Sequence, residues 1–371
     1  MRLTELRLER FRNLVSASLD VPSEGAILVG DNAQGKTNFL EAIHYLTAFR
    51  SFRNSRHADA IAFGADHFRV EGLVEYGNGR RRTIAVAADR STRRISIDGA
   101  EAKTISEASG AVSTVILSPE DHDLLAGGPS ERRDYLDGIL ARTSGSYERA
   151  LREYDRTLRQ RNELLRASPR SAAPVLPSWN AALVERAVPI VRARAGLVDR
   201  LADRFDRIAA AIAAEDGHGG YAIGYRSSPP LAPGEAHDAA AVADAFEEAL
   251  EESLPRDRKR GWTTVGPHRD DLAVDRGGRS IGRFGSQGER RTAAIALRLL
   301  EIEVVEADTG HRPILLLDDV FAELDRARAN RLLARLGGEH QRFVTSPRPL
   351  PWLEGALPRW SVSGGRIGAV T

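Results

Sequence analysis

One glycine-rich octapeptide constrains the fold of this chain more than any other segment. Its sequence is Gly30-Asp31-Asn32-Ala33-Gln34-Gly35-Lys36-Thr37, which has the spacing G-x-x-x-x-G-K-T. A short apolar run, residues 25–29, precedes it, and residues 38–49 follow with apolar side chains at helical spacing. Glycines let a backbone approach phosphate groups closely, and the N-terminus of the following helix adds partial positive charge. The order strand, loop, helix therefore predicts an α/β fold with a phosphate-binding loop.

The single lysine of this loop strengthens the prediction. The chain contains three lysines, Lys36, Lys103 and Lys259, among 53 basic residues. A lysine at position 36 indicates a site that needs a compact ammonium group and not a guanidinium fork. In a loop of this type Lys36 reaches the β and γ phosphates and the Thr37 hydroxyl ligates Mg²⁺. We therefore predict that residues 30–37 bind ATP with Mg²⁺.

A second acidic site follows an apolar strand near the end of the chain. Residues 313–317 are apolar, and Asp318 and Asp319 come directly after them. A carboxylate at the tip of such a strand can lie beside the phosphate loop, where Asp318 would hold Mg²⁺ through water. Asp319 is then the candidate to orient or deprotonate the attacking water. The structural alternative is a buried strand with a polar end.

The remaining pattern predicts three segments. Residues 68–98 alternate as an antiparallel β meander, and apolar residues between 147 and 208 form two long helical stripes that indicate a folded-back helical arm. Residues 215–236 are rich in Gly and Pro, which predicts a loop. We predict the first part of an ATPase head at 1–125, a mainly helical lobe or arm at 126–260, and the completion of the head at 261–371.

Composition excludes several classes of protein. The chain has no cysteine, which excludes disulfides and thiolate metal sites, and a net charge of +1. No apolar run approaches the roughly 20 residues that a membrane helix needs, so we expect no membrane partner. Residues 1–5 have no apolar signal segment. A cytoplasmic location is the simplest expectation.

Two further motifs suggest a class of ATPase. Phe284-Gly285-Ser286-Gln287-Gly288-Glu289 resembles the signature motif of ABC ATPases, and Ala322-Glu323-Leu324-Asp325 resembles the D-loop that follows the acidic strand. In such ATPases the signature motif binds the ATP held by another subunit. The resemblance thus implies an ATP-dependent homodimer with Ser286, Gln287, Gly288 and Glu289 acting in trans and Asp325 in the D-loop. A capped helix start is the structural alternative for residues 286–289.

Three more segments resemble the RecF family of SMC-like ABC ATPases. They are Phe11-Arg12-Asn13, Gly30-Asp31-Asn32 and Val265-Gly266-Pro267-His268-Arg269-Asp270-Asp271-Leu272. The resemblance implies an ABC-type P-loop head, weak DNA-stimulated ATP hydrolysis, and Arg12 and Asn13 near the nucleotide. It also implies DNA binding at gaps and single-strand–duplex junctions, partnership with RecR and RecO, and help in loading RecA. A role for residues 266–271 does not follow from the sequence beyond a Gly-Pro turn that leads into a strand.

The chain departs from transport-type ABC ATPases at three places. Asp319 stands where these enzymes use a glutamate, residues 118–121 replace a glutamine-bearing segment, and residues 344–347 lack the switch histidine. These departures and the helical arm argue against the alternative function, the ATPase subunit of an ABC transporter. They suit an ATPase that turns over slowly.

DNA binding depends on neutralising phosphates, so local basic clusters are the candidate contacts. The clusters are Arg50, Arg53 and Arg56; Arg80, Arg81 and Arg82; and Arg258, Lys259 and Arg260. Each could equally be an ordinary solvated surface. No base-reading module is recognisable, so we expect binding without sequence specificity.

Overall fold

A computed structural model describes residues 1–53, 56–102, 112–167, 175–213, 220–322, 324–353 and 355–369. The chain forms two compact units, one made of residues 1–120 and 301–371 and the other of residues 121–300. Residues 261–300 therefore cluster with the helical unit, whereas the motif-based division grouped them with the C-terminal segment. That three-part division at 125 and 260 stays a prediction about motif organisation.

The strands and helices of the described ranges are named in chain order. The strands are β1 (Arg2–Glu9), β2 (Ala17–Asp20), β3 (Gly25–Val29), β4 (His67–Glu75), β5 (Arg81–Asp89), β6 (Arg93–Ile97), β7 (Ala100–Glu101), β8 (Thr114–Leu117), β9 (Tyr221–Arg226), β10 (Asp271–Arg276), β11 (Arg279–Ser280), β12 (Ile314–Leu317), β13 (Arg342–Ser346), β14 (Arg359–Ser363) and β15 (Arg366–Ala369). The helices are α1 (Lys36–Ala48), α2 (Asp123–Ala126), α3 (Pro129–Thr143), α4 (Gly145–Arg166), α5 (Leu176–Ala213), α6 (Ala239–Arg260), α7 (Ile281–Phe284), α8 (Gln287–Thr309) and α9 (Arg326–Leu336).

A mixed sheet in the first unit brings the two predicted motifs to one edge. Its strand order is β15-β14-β3-β13-β12-β8, and all neighbours are parallel except β14 and β15. In the ladder Val344 pairs with Ile27 on one side and with Leu317 on the other. Because parallel strands end at the same edge, the segments that follow β3 and β12 lie on either side of the end of β13.

The predicted β meander is confirmed as part of a second, antiparallel sheet in the same unit, ordered β2-β1-β4-β5-β6-β7.

The helix α1 contacts both sheets. Its Tyr45 ring packs edge-on against Phe68 of β4 at 5.4 Å, and its Phe39 ring packs against Phe343 of β13 at 5.8 Å. Burial of these aromatic side chains fixes the helix between the sheets and so fixes the start of α1, where Lys36 lies.

The predicted helical arm is confirmed within the second unit. Helices α4, α5 and α6 share a buried apolar cluster that includes Tyr154, Leu183, Ile190, Phe246 and Leu250. The helix α5 is 38 residues long and continues through Pro189, so that proline does not end it. The helical spacing of apolar residues therefore predicted this packing correctly.

One loop prediction was wrong. Within residues 215–236 the structure has strand β9, which pairs antiparallel with β10 from Tyr221 opposite Arg276 to Arg226 opposite Asp271. The surrounding Gly and Pro residues hid a six-residue strand that needs β10, far along the chain, for its hydrogen bonds. Across the described ranges, no helix combines the length and the apolarity that a bilayer crossing requires.

Candidate nucleotide-binding site

The glycine-rich loop joins β3 to α1 in a tight turn that depends on Gly35. Gly35 is the N-cap of α1 with a φ of +114°, a conformation that side chains disfavour. A Cβ atom built there would lie 2.8 Å from Leu14 Cδ2 and 2.9 Å from Asn13 Oδ1. The turn leaves room for backbone alone at Gly35, which explains why the loop has glycine there; phosphate binding by this loop stays a prediction.

Lys36 begins α1 and turns its side chain back over this loop. The residue is 4% exposed, and its Nζ donates hydrogen bonds of 2.8 Å to the Gly30 carbonyl and 3.0 Å to the Asp31 carbonyl. No carboxylate forms an ion pair with Lys36 within the described ranges. A buried ammonium held by neutral carbonyls lacks a counter-ion, and the phosphates of a nucleotide would supply one.

Thr37 and Asp318 are neighbours although 281 positions separate them in the sequence. The Thr37 hydroxyl donates to Asp318 Oδ1 at 3.0 Å, and Asp318 is 5% exposed at the end of β12. Burial is the main cause that raises the pKa of Asp318 above its usual value; the charges of Asp319 and Glu120 add to it, and the hydroxyls of Thr345 and Thr37 oppose it. A desolvated carboxylate among other acids gains from a bound cation.

The Thr37 hydroxyl and the Asp318 carboxylate are suited to bind Mg²⁺. Mg²⁺ usually takes one or two protein oxygens and completes its octahedron with water and substrate phosphates. Among the described residues no group of three His, Asp or Glu side chains is arranged to hold a metal ion. The candidate ligands are therefore the Thr37 hydroxyl and the Asp318 carboxylate, and the remaining positions would fall to water and the nucleotide.

Thr345, at the end of β13, connects both acidic residues. It is fully buried, and its hydroxyl donates to Asp318 Oδ1 at 2.6 Å while it accepts from the Asp319 amide at 2.8 Å. Asp319 Oδ1 lies 3.3 Å from the same hydroxyl, and Asp319 is half-buried with a φ of +47°. Sequence reasoning noted residues 344–347 only for the histidine they lack. A hydroxyl at the end of the neighbouring parallel strand was the signal that could have identified Thr345.

Asn13 contacts the loop directly, and Arg12 is anchored to α1. Asn13 Nδ2 donates to the Ala33 carbonyl at 3.2 Å, and Asn13 Oδ1 accepts from Asn38 Nδ2 at 2.7 Å. Arg12 donates twice to the buried carboxylate of Glu41, at 3.0 Å from Nε and 2.7 Å from Nη2. Asn13 thus contacts the predicted phosphate loop, and Glu41 holds Arg12 against the helix that follows it; proximity of Arg12 and Asn13 to a nucleotide stays a prediction.

The turn between β14 and β15 forms hydrogen bonds with the glycine-rich loop. The sequence alone did not lead us to predict this contact. The Gly364 amide donates to Gln34 Oε1 at 2.6 Å, and the Gly365 amide donates to the Gln34 carbonyl at 3.0 Å. A Gly-Gly pair between alternating apolar residues is a hairpin signal that could have identified this turn.

Comparison with known proteins assigns this arrangement to a family. Residues 2–350 match the family described as RecF/RecN/SMC N terminal domain. A protein named DNA replication and repair protein RecF, from Gloeobacter violaceus, is 38% identical over 378 aligned positions that cover 100% of this chain and 99% of that relative. The chain belongs to the RecF family. A RecF-family relative with the same name, from Myxococcus xanthus, is 36% identical over 99% of this chain and 97% of its own length.

Solved structures agree with the RecF family assignment. A structure described as the recombination mediator protein RecF-ATP in the RecFOR pathway matches with a TM-score of 0.90 and 31% identity, covering 100% of this chain and 98% of the other. An SMC head bound to the C-winged helix domain of ScpA matches with a TM-score of 0.55 and 16% identity, which shows a shared fold alone. The predicted ABC-type head with a β meander and a helical lobe is therefore confirmed.

The signature-like residues of this RecF-family chain form a capped helix start. The Ser286 hydroxyl accepts from the Glu289 amide at 3.2 Å, and Glu289 Oε2 accepts from the Ser286 amide at 2.7 Å. Gln287 is exposed and Gly288 half-buried in the first turn of α8. Asp325 likewise caps α9 by accepting from the Arg328 amide at 2.9 Å, and Glu323 lies outside the described residues. Contact of these residues with a second subunit's ATP stays a prediction.

The segment from Val265 to Leu272, for which the sequence offered no role, is a buried polar hub of the helical unit. Asp270 is 1% exposed and accepts from Arg194 Nη1 at 3.2 Å, from the Ser228 amide at 2.7 Å and from the Tyr225 hydroxyl. Arg194, 2% exposed, also binds the Asp137 carboxylate through two contacts of 2.8 Å. The segment thus ties α3 and α5 to the β9–β10 pair, which is a structural role.

The three basic clusters differ in how far their charges are neutralised. Arg53 lies 3.8 Å from Glu41, Arg81 binds Glu75 at 2.9 Å and Arg82 binds Asp98 at 2.9 Å. Arg258, Lys259 and Arg260 end α6 and form no ion pair within the described ranges. DNA contact by Arg50, Arg53, Arg56, Arg80, Arg81, Arg82, Arg258, Lys259 or Arg260 stays a prediction.

Proposed function

We propose that this protein is an ATP-dependent DNA-binding protein of recombinational repair and replication-fork recovery. ATP would bind to residues 30–37, with Mg²⁺ held by Thr37 and Asp318. The observation that carries the proposal is the convergence of Lys36, Thr37 and Asp318 at one edge of the mixed sheet. The full-length likeness to a recombination mediator described as RecF-ATP supports ATP as the nucleotide.

The residues of the site have separable roles in this proposal. Lys36 would exchange the carbonyls of Gly30 and Asp31 for phosphate oxygens, because a phosphate carries the negative charge that a carbonyl lacks. Bound Mg²⁺ would neutralise charge on the β and γ phosphate oxygens. Asp319 would orient or deprotonate the attacking water. Its side chain is one methylene shorter than glutamate, which is consistent with slow hydrolysis.

The proposed working form is a homodimer. Residues 286–289 of each subunit would contact the ATP that the other subunit holds, so that ATP joins the subunits and weak, DNA-stimulated hydrolysis releases them. The dimer would bind DNA at gaps or single-strand–duplex junctions without reading sequence. With RecR and RecO it would assist the loading of RecA in the cytoplasm.

Sizing of the protein by light scattering, with and without ATP and gapped DNA, tests this proposal. We expect a monomer without nucleotide, a dimer with ATP, and retention of the dimer on gapped DNA. Steady ATP turnover without dimer formation or DNA retention would reject it. ATP-driven dimers that turn over ATP but are not retained on gapped DNA would favour the transporter-type alternative, against which the RecF family membership already argues.

A further inference from the structure

Three helix ends in the helical unit enclose a cleft lined by positive charge. The end of α4, the start of α5 and the end of α6 surround a volume of about 370 Å³. Its cations are Arg166, Arg258, Lys259 and Arg260, and Leu165 and Leu176 form part of an apolar floor. The size lies within the range of pockets that bind small ligands or single groups of a larger one.

The charges of this cleft lack partners in the protein. Within the described ranges none of the four cations forms a hydrogen bond or ion pair, and no Asp or Glu lines the cleft. The meander cluster differs, since Arg81 and Arg82 already bind carboxylates. Four like charges around one space repel one another, and an anion bound between them would relieve that repulsion.

A buried ion pair, close in sequence to the residues that line the cleft, holds the three helices together. Arg161 of α4 and Asp257 of α6 are both fully buried and lie 3.0 Å apart, and Arg161 Nε donates to Asn180 Oδ1 of α5 at 2.8 Å. Arg161 also donates to the Thr263 hydroxyl at 2.7 Å. These bonds fix the backbone of the helix ends before any ligand arrives, so the ordering cost of binding falls mainly on the exposed cationic side chains.

Gly261 lets Arg166 approach the end of α6. Gly261 caps α6 with a φ of +74°, and a Cβ atom there would lie 3.1 Å from Arg166 Cγ. The aliphatic stem of Arg166 therefore packs over Gly261, although the residue as a whole is exposed. The next residue, Trp262, is 43% exposed and offers an aromatic surface adjacent in sequence to the cations.

We propose that this cleft binds the phosphodiester backbone of single-stranded nucleic acid, without need of ATP and apart from the residues that hold the nucleotide. The inference rests on the DNA binding of the proposed function and assigns a site to its contact with single strands; the ATP-dependent part of that function, dimer formation and retention on gapped DNA, is separate from this contact. The cations would contact successive phosphates, and the exposed ring of Trp262 would receive an unstacked base. Single strands offer such bases and duplexes do not, and stacking tolerates any sequence.

Fluorescence anisotropy of labelled oligonucleotides with the full chain, without nucleotide, tests the site. The test variant combines Arg166→Gln, Arg258→Gln, Lys259→Gln and Arg260→Gln. Its matched control combines Arg149→Gln, Arg152→Gln, Arg156→Gln and Arg159→Gln, which removes the same charge from exposed positions of α4 outside the cleft. We expect the test variant to bind single strands about tenfold or more weakly, with a salt slope smaller by about 0.7 for each phosphate that it no longer neutralises.

Further measurements distinguish single-stranded nucleic acid from other possible ligands of the cleft. Trp262→Ala should weaken single-strand binding and leave the salt slope unchanged, because stacking releases no counterions. Equal losses in the test and control variants, or an unchanged test variant, would overturn the proposal. So would stronger binding of duplex or of a poly-glutamate peptide than of single strands. Crosslinking of wild-type protein to thiothymidine-bearing oligonucleotide should mark residues 164–167 or 258–262, and this readout does not depend on folding of a variant.

Failure of this site and failure of the proposed function give different results. ATP-driven dimer formation, measured by light scattering on the same variants, should match wild type because the cleft residues lie outside the nucleotide site. Normal dimers with unchanged single-strand binding would overturn the cleft alone. Absence of dimers in the wild-type protein would reject the proposed ATP function and leave the cleft measurement intact.

Discussion

The Thr345 hydroxyl donates a 2.6 Å hydrogen bond to the Asp318 carboxylate from the end of the neighbouring strand. The same oxygen accepts a hydrogen bond of 2.8 Å from the Asp319 amide, so one side chain sets the position of both acidic residues. Thr345 occupies a segment where transport-type ABC ATPases are expected to carry a histidine. Because it lies between the candidate metal ligand and the candidate water-orienting residue, we expect Thr345 to act as a positioning residue for hydrolysis.

Replacement of Thr345 by Val should impair hydrolysis more than nucleotide binding. The variant keeps the shape of the side chain but leaves the Asp319 amide and a buried carboxylate with one partner fewer, at a cost of about 1–3 kcal/mol in unfolding free energy. We expect kcat for ATP to fall about tenfold or more, with KM nearly unchanged. Thr345→Ser restores the hydroxyl and should recover most of kcat in steady-state assays. A role in stability alone would lower the melting temperature without changing kcat per folded molecule.

Asp319→Asn should separate ATP binding from hydrolysis. The amide is isosteric with the carboxylate, and the backbone bond to Thr345 is kept, but the side chain can no longer accept a proton. We expect turnover to fall about 100-fold, within the range for loss of an acid–base group. ATP-bound dimers should accumulate in sedimentation velocity. Turnover equal to wild type would remove Asp319 from the chemical step.

Lys36→Ala should abolish ATP binding and, with it, dimer formation. The buried ammonium is the side-chain cation of the loop, and its loss leaves the phosphate charge without that partner. Titration with fluorescent ATP and light scattering measure the two effects. Lys259→Ala removes the same kind of side chain from an exposed position at the end of α6 and should bind ATP normally. A Lys36→Ala protein that still dimerises with ATP would contradict the view that ATP joins the subunits.

The parts of the site that follow local patterns could be predicted from the sequence. Gly30, Lys36 and Thr37 lie within one loop, and Asp318 directly follows an apolar run, so spacing alone identifies them. The parallel sheet then places the two motifs at one edge, as the 3.0 Å contact between Thr37 and Asp318 shows.

The parts that depend on strand pairing could not be predicted. Thr345 acquires its role because β13 lies between β3 and β12, and strand order is a property of the whole sheet. Strand β9 could not be predicted for the same reason. It ends at Arg226, and its partner β10 begins only at Asp271, after the whole of α6. Capping explains residues 286–289 locally, but a role in a second subunit requires information that one chain does not contain.

His268 should make the stability of the helical unit depend on pH. Burial is the main cause that lowers the pKa of His268 to about 4. Its neutral ring accepts from the Tyr154 hydroxyl at 2.7 Å and donates to the Thr263 carbonyl at 3.1 Å. Because the unfolded chain binds a proton below about pH 6.5 and the folded chain does not, the unfolding free energy falls as the pH falls from about 6.5 towards 4. Taken alone, His268 lowers the unfolding free energy by about 2 kcal/mol at pH 5.

A comparison with His268→Gln isolates this effect. Glutamine can accept from Tyr154 and donate to Thr263 but does not titrate, so its melting temperature should fall less than that of wild type between pH 7 and pH 5. Burial raises the pKa of Asp270 to about 6, so this carboxyl contributes with the opposite sign over the same interval in both proteins. Equal pH dependence of the two proteins would show that His268 does not carry it.

Gly266→Ala should destabilise the protein far more than a glycine substitution at an open turn. Gly266 has φ and ψ of +123° and 177°, a region that costs other residues about 1–3 kcal/mol. A Cβ atom there would lie 2.6 Å from the Tyr154 hydroxyl oxygen and 2.8 Å from Phe246 Cζ, and such overpacking costs about 1–3 kcal/mol more. The control is Gly277→Ala, whose φ is +55° and whose Cβ would meet no heavy atom within 4 Å. Urea unfolding should show that the unfolding free energy falls by about 3 kcal/mol or more in Gly266→Ala and by about 1 kcal/mol in the control. Similar losses in the two variants would mean that the structure around Gly266 tolerates a side chain at this position.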